Sequence, residues 1–442
     1  MKKTAKLASL MLIAALTLSA CAGPQASTTP APDPKPATDT STPAAPDATT
    51  SGEPIRIGLV EPRSGNLAIT GTDNYWGARI AIDMFNERGG VDGRLIEAVE
   101  ADVPDPQAAQ TEINRLIQNE KLTVITGLYG SAIAEVAAGI CNRNNVLYWE
   151  HVSVVDRLTE QGYDNVFRVH VSGSNYGLKA GAIAADFSEI IGIDLKDLRL
   201  GIISENGDFG QSLAKGIRQY AEENGIQVVV DELYDAKTTD TSPIVMKLKD
   251  ADPDIVIATS YINDGIDITK KCKVLNYAPK VFLGVGSGYG AAAYPEALGA
   301  DAEGQIDLDP TGAPVLENLS PEMAELTKEF QERFKAENGY DAPVVGYLAW
   351  QATWVLLNDV IAQVGDVDDV DALIEAARAV DIPEGTLPTG AGVKFDANGQ
   401  NERCVIAAMQ WQDGKLVTIY PESLAQADMI CVPMPSWSER GK

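Results

Sequence analysis

The residues able to carry chemistry in this chain are few, and the gaps in the set are informative. His151 and His170 are the only imidazoles and no two cysteines stand in a CxxC spacing, so a zinc site has little to be built from. No GxxxxGK[ST] loop, GxSxG elbow or HExxH pair occurs, which removes the usual signatures of phosphate-loop, serine-hydrolase and metalloprotease chemistry. A lone histidine is more often a packed structural residue than a catalytic one, and both are expected to be structural. Gly288-Tyr289-Gly290-Ala291-Ala292-Ala293 formally matches a GxGxxA dinucleotide fingerprint, but Pro295 breaks the helix that should follow and no βαβ unit opens there. The acidic run Asp366 to Asp371 lacks the glycine of an EF-hand loop and reads as a solvated helix start. No metal, no cofactor and no enzymatic activity are expected.

The chemistry with the clearest spacing is at the start. Lys2, Lys3 and Lys6 precede an apolar run from Leu7 to Leu18, too short for the roughly 20 residues of a bilayer crossing and proportioned like a secretory leader. Leu18-Ser19-Ala20-Cys21 resembles the lipobox of bacterial lipoproteins, which implies a leader over 1–20, acylation of Cys21 and attachment to the outer face of a membrane through that lipid alone. The stretch 21–54 is nearly all Ala, Pro, Thr, Ser and Asp. It cannot bury a core, and its prolines favour an extended tether. Four other cysteines remain in what would be an exported chain. Cys404 and Cys431 flank the last apparent strands and form the preferred disulfide, while Cys141 and Cys272 read as buried thiols on separate helices.

The elements that must position any site follow from Ile55 onward. Short apolar runs alternate with helical ones: Ile55 to Val60, then Trp76 to Phe85; Leu95 to Ala101, then Pro106 to Asn119; Leu122 to Ile125, then Ala132 to Asn142. Such β–α alternation predicts a parallel sheet covered by helices. A second series starts near Phe167 to Val171, so the expected fold is α/β, with two doubly wound parallel-sheet lobes joined by a multi-strand hinge. Lobe 1 is expected to comprise 55–172 and 306–392, and lobe 2 to comprise 173–305 and 393–442. The 442 residues carry a formal charge of -28, which disfavours nucleic acid and anionic membrane surfaces as partners.

Several motifs in order carry a family likeness. Ile55 to Val60 with Ser64-Gly65, Asn86 to Gly93, Asp102 to Pro106, Gly127 to Ser131, Leu158 to Tyr163, Asp208-Phe209-Gly210 and Phe395 to Gln400 together resemble the leucine/isoleucine/valine-binding proteins among type I periplasmic binding proteins. The resemblance runs from about 55 to 421. It implies capture of a small organic solute in a cleft between lobes, at the C-terminal ends of strands, and delivery to an ABC permease and its ATPase by a monomer; a sensing or surface-interaction module of the same fold is the alternative. Carried over by position, Tyr129, Gly130 and Ser131 would cradle a carboxylate, with a plain helix cap as the bland reading of Ser131. Glu150, Val152 and Ser153 would meet a polar or ammonium group, and Thr70 would add a hydroxyl. From the second lobe Phe209, Tyr261 and Gly286 would close over the solute, and Trp149 and Tyr289 would extend an aromatic slot. Where amino-acid binders of the family carry an acid after the strand at Val281 to Leu283, this chain reads Gly284-Val285-Gly286-Ser287-Gly288-Tyr289. Either Glu150 compensates or the solute lacks an α-ammonium group.

Overall fold

The computed structural model describes residues 52–286, 288–311 and 314–440. The leader, Cys21 and nearly all of the tether lie outside the described residues. The first sheet is built from β1 (Ile55–Glu61), β2 (Ile96–Asp102), β3 (Val124–Gly127), β4 (Leu147–Glu150) and β5 (Val166–Arg168), in the order β2-β1-β3-β4-β5. All its pairings are parallel. The connections are α1 (Ala68–Glu87), α2 (Pro106–Gln118), α3 (Ser131–Arg143) and the single turn α4 (Arg157–Glu160). Parallel strands need such crossovers, and the crossovers cover both faces.

The second sheet follows with α5 (Gly173–Ile190), β6 (Arg199–Glu205), α6 (Asp208–Glu223), β7 (Gln227–Tyr234), α7 (Ser242–Ala251), β8 (Ile255–Thr259), α8 (Ile262–Val274), β9 (Val281–Val285), α9 (Ala293–Leu298) and β10 (Ile306–Asp309). The chain then returns to the first sheet with α10 (Pro321–Asn338), α11 (Val344–Val355), α12 (Ala362–Val364), α13 (Val370–Ala379) and a small ribbon of β11 (Asp381–Ile382) and β12 (Val393–Lys394). Last come β13 (Ala407–Gln412) and β14 (Lys415–Tyr420), antiparallel at the edge of the second sheet, whose order is β14-β13-β10-β9-β8-β6-β7. Two boundaries differ from expectation: Val393 and Phe395 still pack in the first core, so the last return to the second sheet comes after 393, and the exit near 306 also moves. β10 belongs to the second sheet, pairing parallel with β9 and antiparallel with β13, so the chain leaves that sheet after Asp309 and not at 306.

Each sheet is buried on both faces. In the first, Ile57, Leu59 and Trp149 pack with Phe330, Trp350 and Leu357 on one side, and Val60, Ile125 and Tyr148 pack with Ile113 and Ile140 on the other. The helical run Val344–Val364 is long and apolar enough to cross a membrane, yet 89% of its most apolar 18-residue stretch is buried inside the protein. It lies against α1 so closely that a Cβ on Gly77 would stand 2.2 Å from the Gly346 carbonyl oxygen.

The crossings between sheets are tied side by side. Arg168 pairs with Gln400 as an isolated parallel bridge, and Asn401 donates to the Val169 carbonyl at 2.7 Å. Arg168 is fully buried. Its guanidinium reaches Gln400 Oε1 at 2.6 Å, the Val155 carbonyl at 2.7 Å and Thr159 Oγ1 at 3.1 Å, and burial lowers its pKa to about 10. Cys141, Cys272, Cys404 and Cys431 are all free thiols, which corrects the expected Cys404–Cys431 pair. Cys404 precedes β13 and its Sγ donates to the Val169 carbonyl at the crossing. Cys431 lies against Gly304 at the other end of β13, about 20 Å away at 3.4 Å per strand residue, beyond the reach of a disulfide.

Candidate functional site

The loops after β3 and β4 form one wall of a cavity between the sheets. Gly130 has φ +103°, and a Cβ there would stand 2.8 Å from Leu67 Cδ1, so the turn into α3 requires glycine. Ser131 opens α3 and does not cap it, because Gly130 occupies the cap position. The buried Ser131 Oγ instead accepts from the Val154 amide at 3.4 Å, joining the two loops.

Two buried carboxyls hold these loops in shape. Glu61, at the end of β1, accepts from the Tyr129 amide at 3.0 Å and from Asn74 Nδ2 at 2.5 Å. Glu150, at the end of β4, accepts the amides of Leu128, Val152 and Ser153 on one oxygen at 3.2, 3.0 and 2.8 Å, and the Tyr148 hydroxyl on the other at 2.5 Å. Burial raises Glu61 to about 8 and Glu150 to about 7, and lowers the neighbouring His151 to about 4. His151 accordingly stays neutral, sharing Nε2 with Thr126 Oγ1 at 2.7 Å.

Glu150 therefore faces the protein and not the cavity, a correction to its expected place against a ligand ammonium group. Thr70 also stands behind the wall, buried and hydrogen-bonded to the Tyr129 hydroxyl. Trp149 is fully buried in the first core, donating from its indole to the Ala352 carbonyl at 2.8 Å. Tyr289 is buried in the second lobe with its hydroxyl 2.9 Å from Ser260 Oγ. Neither belongs to the aromatic slot.

The other expected positions meet at the cavity. Tyr129, Gly130, Ser131, Val152 and Ser153 line it from the first sheet, and Phe209, Tyr261 and Gly286 from the second. Phe209 lies in the first turn of α6, Tyr261 immediately precedes α8, and Gly286 follows β9. Tyr261 meets Phe209 at 5.2 Å between ring centroids and, across the lobes, meets Tyr129 edge-on at 6.2 Å. Gly286 has φ +80°, and a Cβ there would stand 2.7 Å from the Phe209 ring, so glycine is needed for the ring to lie where it does. The space between them is about 30 Å³, little more than one or two waters occupy. Val344, Leu348 and Met409 pack around Val152 at its edge, and a groove of about 660 Å³ bounded by Tyr340, Tyr347 and Trp411 opens alongside.

Sequence reasoning missed five lining residues: Val154 after Ser153, His170 and Tyr176 at the crossing into α5, Asp309 at the end of β10, and Leu348 on α11. Asp309 alone had an available signal, as an acid at a strand's C-terminal end. Outside the cavity, among the described residues, two ion pairs link α4 and the residue before it to α6. Arg157 reaches Asp208 at 2.7 Å, and Lys215 reaches Asp156 at 3.0 Å.

The pattern of the family described as periplasmic binding protein matches residues 54–415. The chain is a type I periplasmic binding protein of the leucine/isoleucine/valine-binding family. Among curated relatives, Leu/Ile/Val-binding protein homolog 8 of Brucella abortus (strain 2308) is 31% identical over 377 residues, covering 85% of this chain and 92% of the relative. Among solved structures, the substrate-binding protein LivJ of Streptococcus pneumoniae, in complex with isoleucine, is 22% identical with a TM-score of 0.71, over 83% of this chain and 100% of that one. A solute-binding protein of an ABC transporter from R. palustris, in complex with benzoate, is 21% identical with a TM-score of 0.70, over 85% and 98%. Periplasmic binding proteins are extracytoplasmic solute binders, and this chain shares their two-sheet α/β architecture.

Proposed function

We propose that this chain is the lipid-anchored receptor of an ABC importer and takes a small amphiphilic carboxylic acid or related amide, amino acids included, into the cavity between its lobes. The observation that carries this reading is the convergence of two unlike walls on one space. From the first lobe come the N-terminal turn of α3, Ser131 and the backbone of 152–154; from the second come the rings of Phe209 and Tyr261. A carboxylate is suited to the first wall, where amides at a helix start and a hydroxyl converge. An apolar or aromatic body is suited to the second. The small volume, about 30 Å³, means that entry requires the lobes to part and that closure surrounds the solute, which favours the closed state by contacts the open state lacks.

Cys21 is the proposed acylation site, 21–54 the spacer, and a permease with its ATPase the partner. The structural relatives bound to isoleucine and to benzoate make carboxylic acids the first compounds to try. A thermal-shift screen of amino acids, aromatic acids and amides tests the reading: a bound solute raises Tm by mass action. Ser131→Ala is expected to weaken binding of carboxylates about tenfold, as loss of a hydrogen bond to a charged group would. No stabilisation by any carboxylate or amide would refute the reading, and full affinity in Ser131→Ala would refute the cradle. Cys21→Ser should abolish incorporation of a labelled fatty acid.

A further inference from the structure

Behind the first-lobe wall of the cavity, two buried acceptors lack a donor. His151 and Asn74 are fully buried, and neither His151 Nδ1 nor Asn74 Oδ1 has a hydrogen-bond partner among the described residues. Both side chains meet one carboxyl: Glu61 Oε1 lies 3.4 Å from His151 Nδ1 and 2.5 Å from Asn74 Nδ2. The tautomer of His151 follows from its other nitrogen. Thr126 Oγ1 donates to the Trp149 carbonyl at 3.2 Å, so toward Nε2, 2.7 Å away, it can only accept. Nε2 therefore carries the ring hydrogen, and Nδ1 presents a lone pair to Glu61. An ionised Glu61 would set a second lone pair against it, whereas a proton on the carboxyl supplies the donor that this cluster lacks.

We propose that Glu61 and His151 share a single proton, carried on Glu61, and that this neutral pair is a positioning element of the carboxylate cradle, holding the Tyr129 turn without setting a negative charge behind Gly130 and Ser131. This rests on the cradle proposed above. Glu61 Oε2 accepts from the Tyr129 amide at 3.0 Å, and Tyr129, Gly130 and Ser131 line the cavity in succession. His151 directly precedes Val152 and Ser153, which line the same wall, so the pair joins the backs of both loops. The other charged groups around it do not take over the proton's role. Arg63, two residues beyond Glu61, favours the ionised form but is engaged with Glu100 at 3.0 Å. On α1, Asp73 accepts from the Tyr340 hydroxyl and is raised to about 6 by burial. On β4, Glu150 and Tyr148 are bonded to each other, and neither brings a positive charge. Burial prevails and keeps Glu61 protonated up to about pH 8. The proton is bound below that pH and lost above it, where a bare carboxylate would oppose an anionic solute across the Tyr129 turn. Affinity for a carboxylate is therefore full below pH 8 and declines above it, and binding near pH 8 takes up a proton.

The test is calorimetric titration of isoleucine, phenylalanine and benzoate into the full-length chain between pH 7 and 9. For a compound that binds, affinity should fall about tenfold over that range, as release of one proton near pH 8 requires. In Glu61→Gln, whose amide cannot ionise and still offers a donor toward His151 Nδ1, the fall should be less than about twofold. At pH 8, comparison of phosphate with Tris buffer should show about half a proton taken up per solute bound by the wild type, and none by the variant. A wild-type affinity that is flat with pH, or a loss that survives in Glu61→Gln, overturns the proposal while the carboxylate reading stands. If none of the three compounds binds, it is the proposed function that fails, and the proton is then decided without a solute. Infrared spectra of the free protein should lose protonated-carboxyl C=O absorption between pH 7 and 9, and lose less of it in Glu61→Gln; equal losses overturn the assignment. Should Glu61→Gln not fold, wild-type proton uptake at pH 8 decides, and its absence overturns the proposal.

Discussion

Replacing Glu150 by glutamine separates its role as an acceptor from its role as a charge. In Glu150→Gln the side-chain amide oxygen would still accept the Leu128, Val152 and Ser153 amides that Glu150 gathers, but the side chain no longer titrates. Burial holds the folded carboxyl at about 7 against an ordinary 4.5, so the folded protein keeps a proton that the unfolded chain releases as pH rises past 4.5. The stability contributed by the protonated carboxyl is therefore complete below pH 4.5 and declines as pH climbs to 7. Above that the ionised group costs the fold about 3 kcal/mol, at about 1.4 kcal/mol per pH unit. The variant carries no such penalty. Differential scanning fluorimetry from pH 5 to 9 should find the two proteins melting within about a degree of each other at the acid end. At the alkaline end the variant should melt higher by about 3–6 °C. A Tm difference that stays constant with pH, or that grows in favour of the wild type above pH 7, would refute this, because it would mean that the three amides keep the carboxylate ionised. Glu150→Ala, which strands three buried amides at about 1–3 kcal/mol each, should be destabilised at every pH.

Arg168→Leu removes the donors that satisfy the Val155 carbonyl, Gln400 and Thr159 in the crossing; urea unfolding should show a loss of about 3–5 kcal/mol, and a loss under about 1 kcal/mol would refute the structural role given to it. Arg157→Ala breaks the exposed pair with Asp208, so stability should change by less than about 1 kcal/mol, while solute affinity falls by up to about fivefold and the salt dependence of binding flattens, as titration at two ionic strengths would measure. With all four cysteines of the folded body free, dithiothreitol should leave Tm unchanged and thiol titration of the unfolded protein should find every one of them reactive.

Alternation of apolar and amphipathic runs was enough to anticipate the parallel strands and covering helices, because a strand buried on both faces and a helix with one apolar stripe have different periods. The loop Tyr129-Gly130-Ser131 came from the family resemblance, carried over by position, and the structure places all three residues at the cavity. Glu150 was not legible. A strand-end carboxylate points either to solvent or to the interior, and what fixes it here is three amides of loops that only the folded sheet brings around it. Asp309 escaped because β10 belongs to the second sheet through its pairing with β9 and β13, and no local pattern distinguishes that pairing from a return to the first. The disulfide failed on distance, as Cys404 and Cys431 flank the same two strands in sequence but lie at opposite ends of β13.

The cavity and the crossings share atoms, and this bears on how binding and lobe motion are connected. Arg168 lies in the first crossing, is hydrogen-bonded to Gln400 in the other, and holds the Val155 carbonyl next to the Val154 that lines the cavity. His170, two residues further along the same crossing, lines the cavity itself. A rotation of one lobe about these segments cannot proceed without moving the imidazole and pulling on the 153–155 loop, since packed and fully hydrogen-bonded groups shift together or lose their bonds. On the proposed reading, a solute held by Ser131 on one wall and by the Phe209 and Tyr261 rings on the other would stabilise one setting of the crossings. Closure would then be favoured because the closed setting lets both walls contact the solute at once.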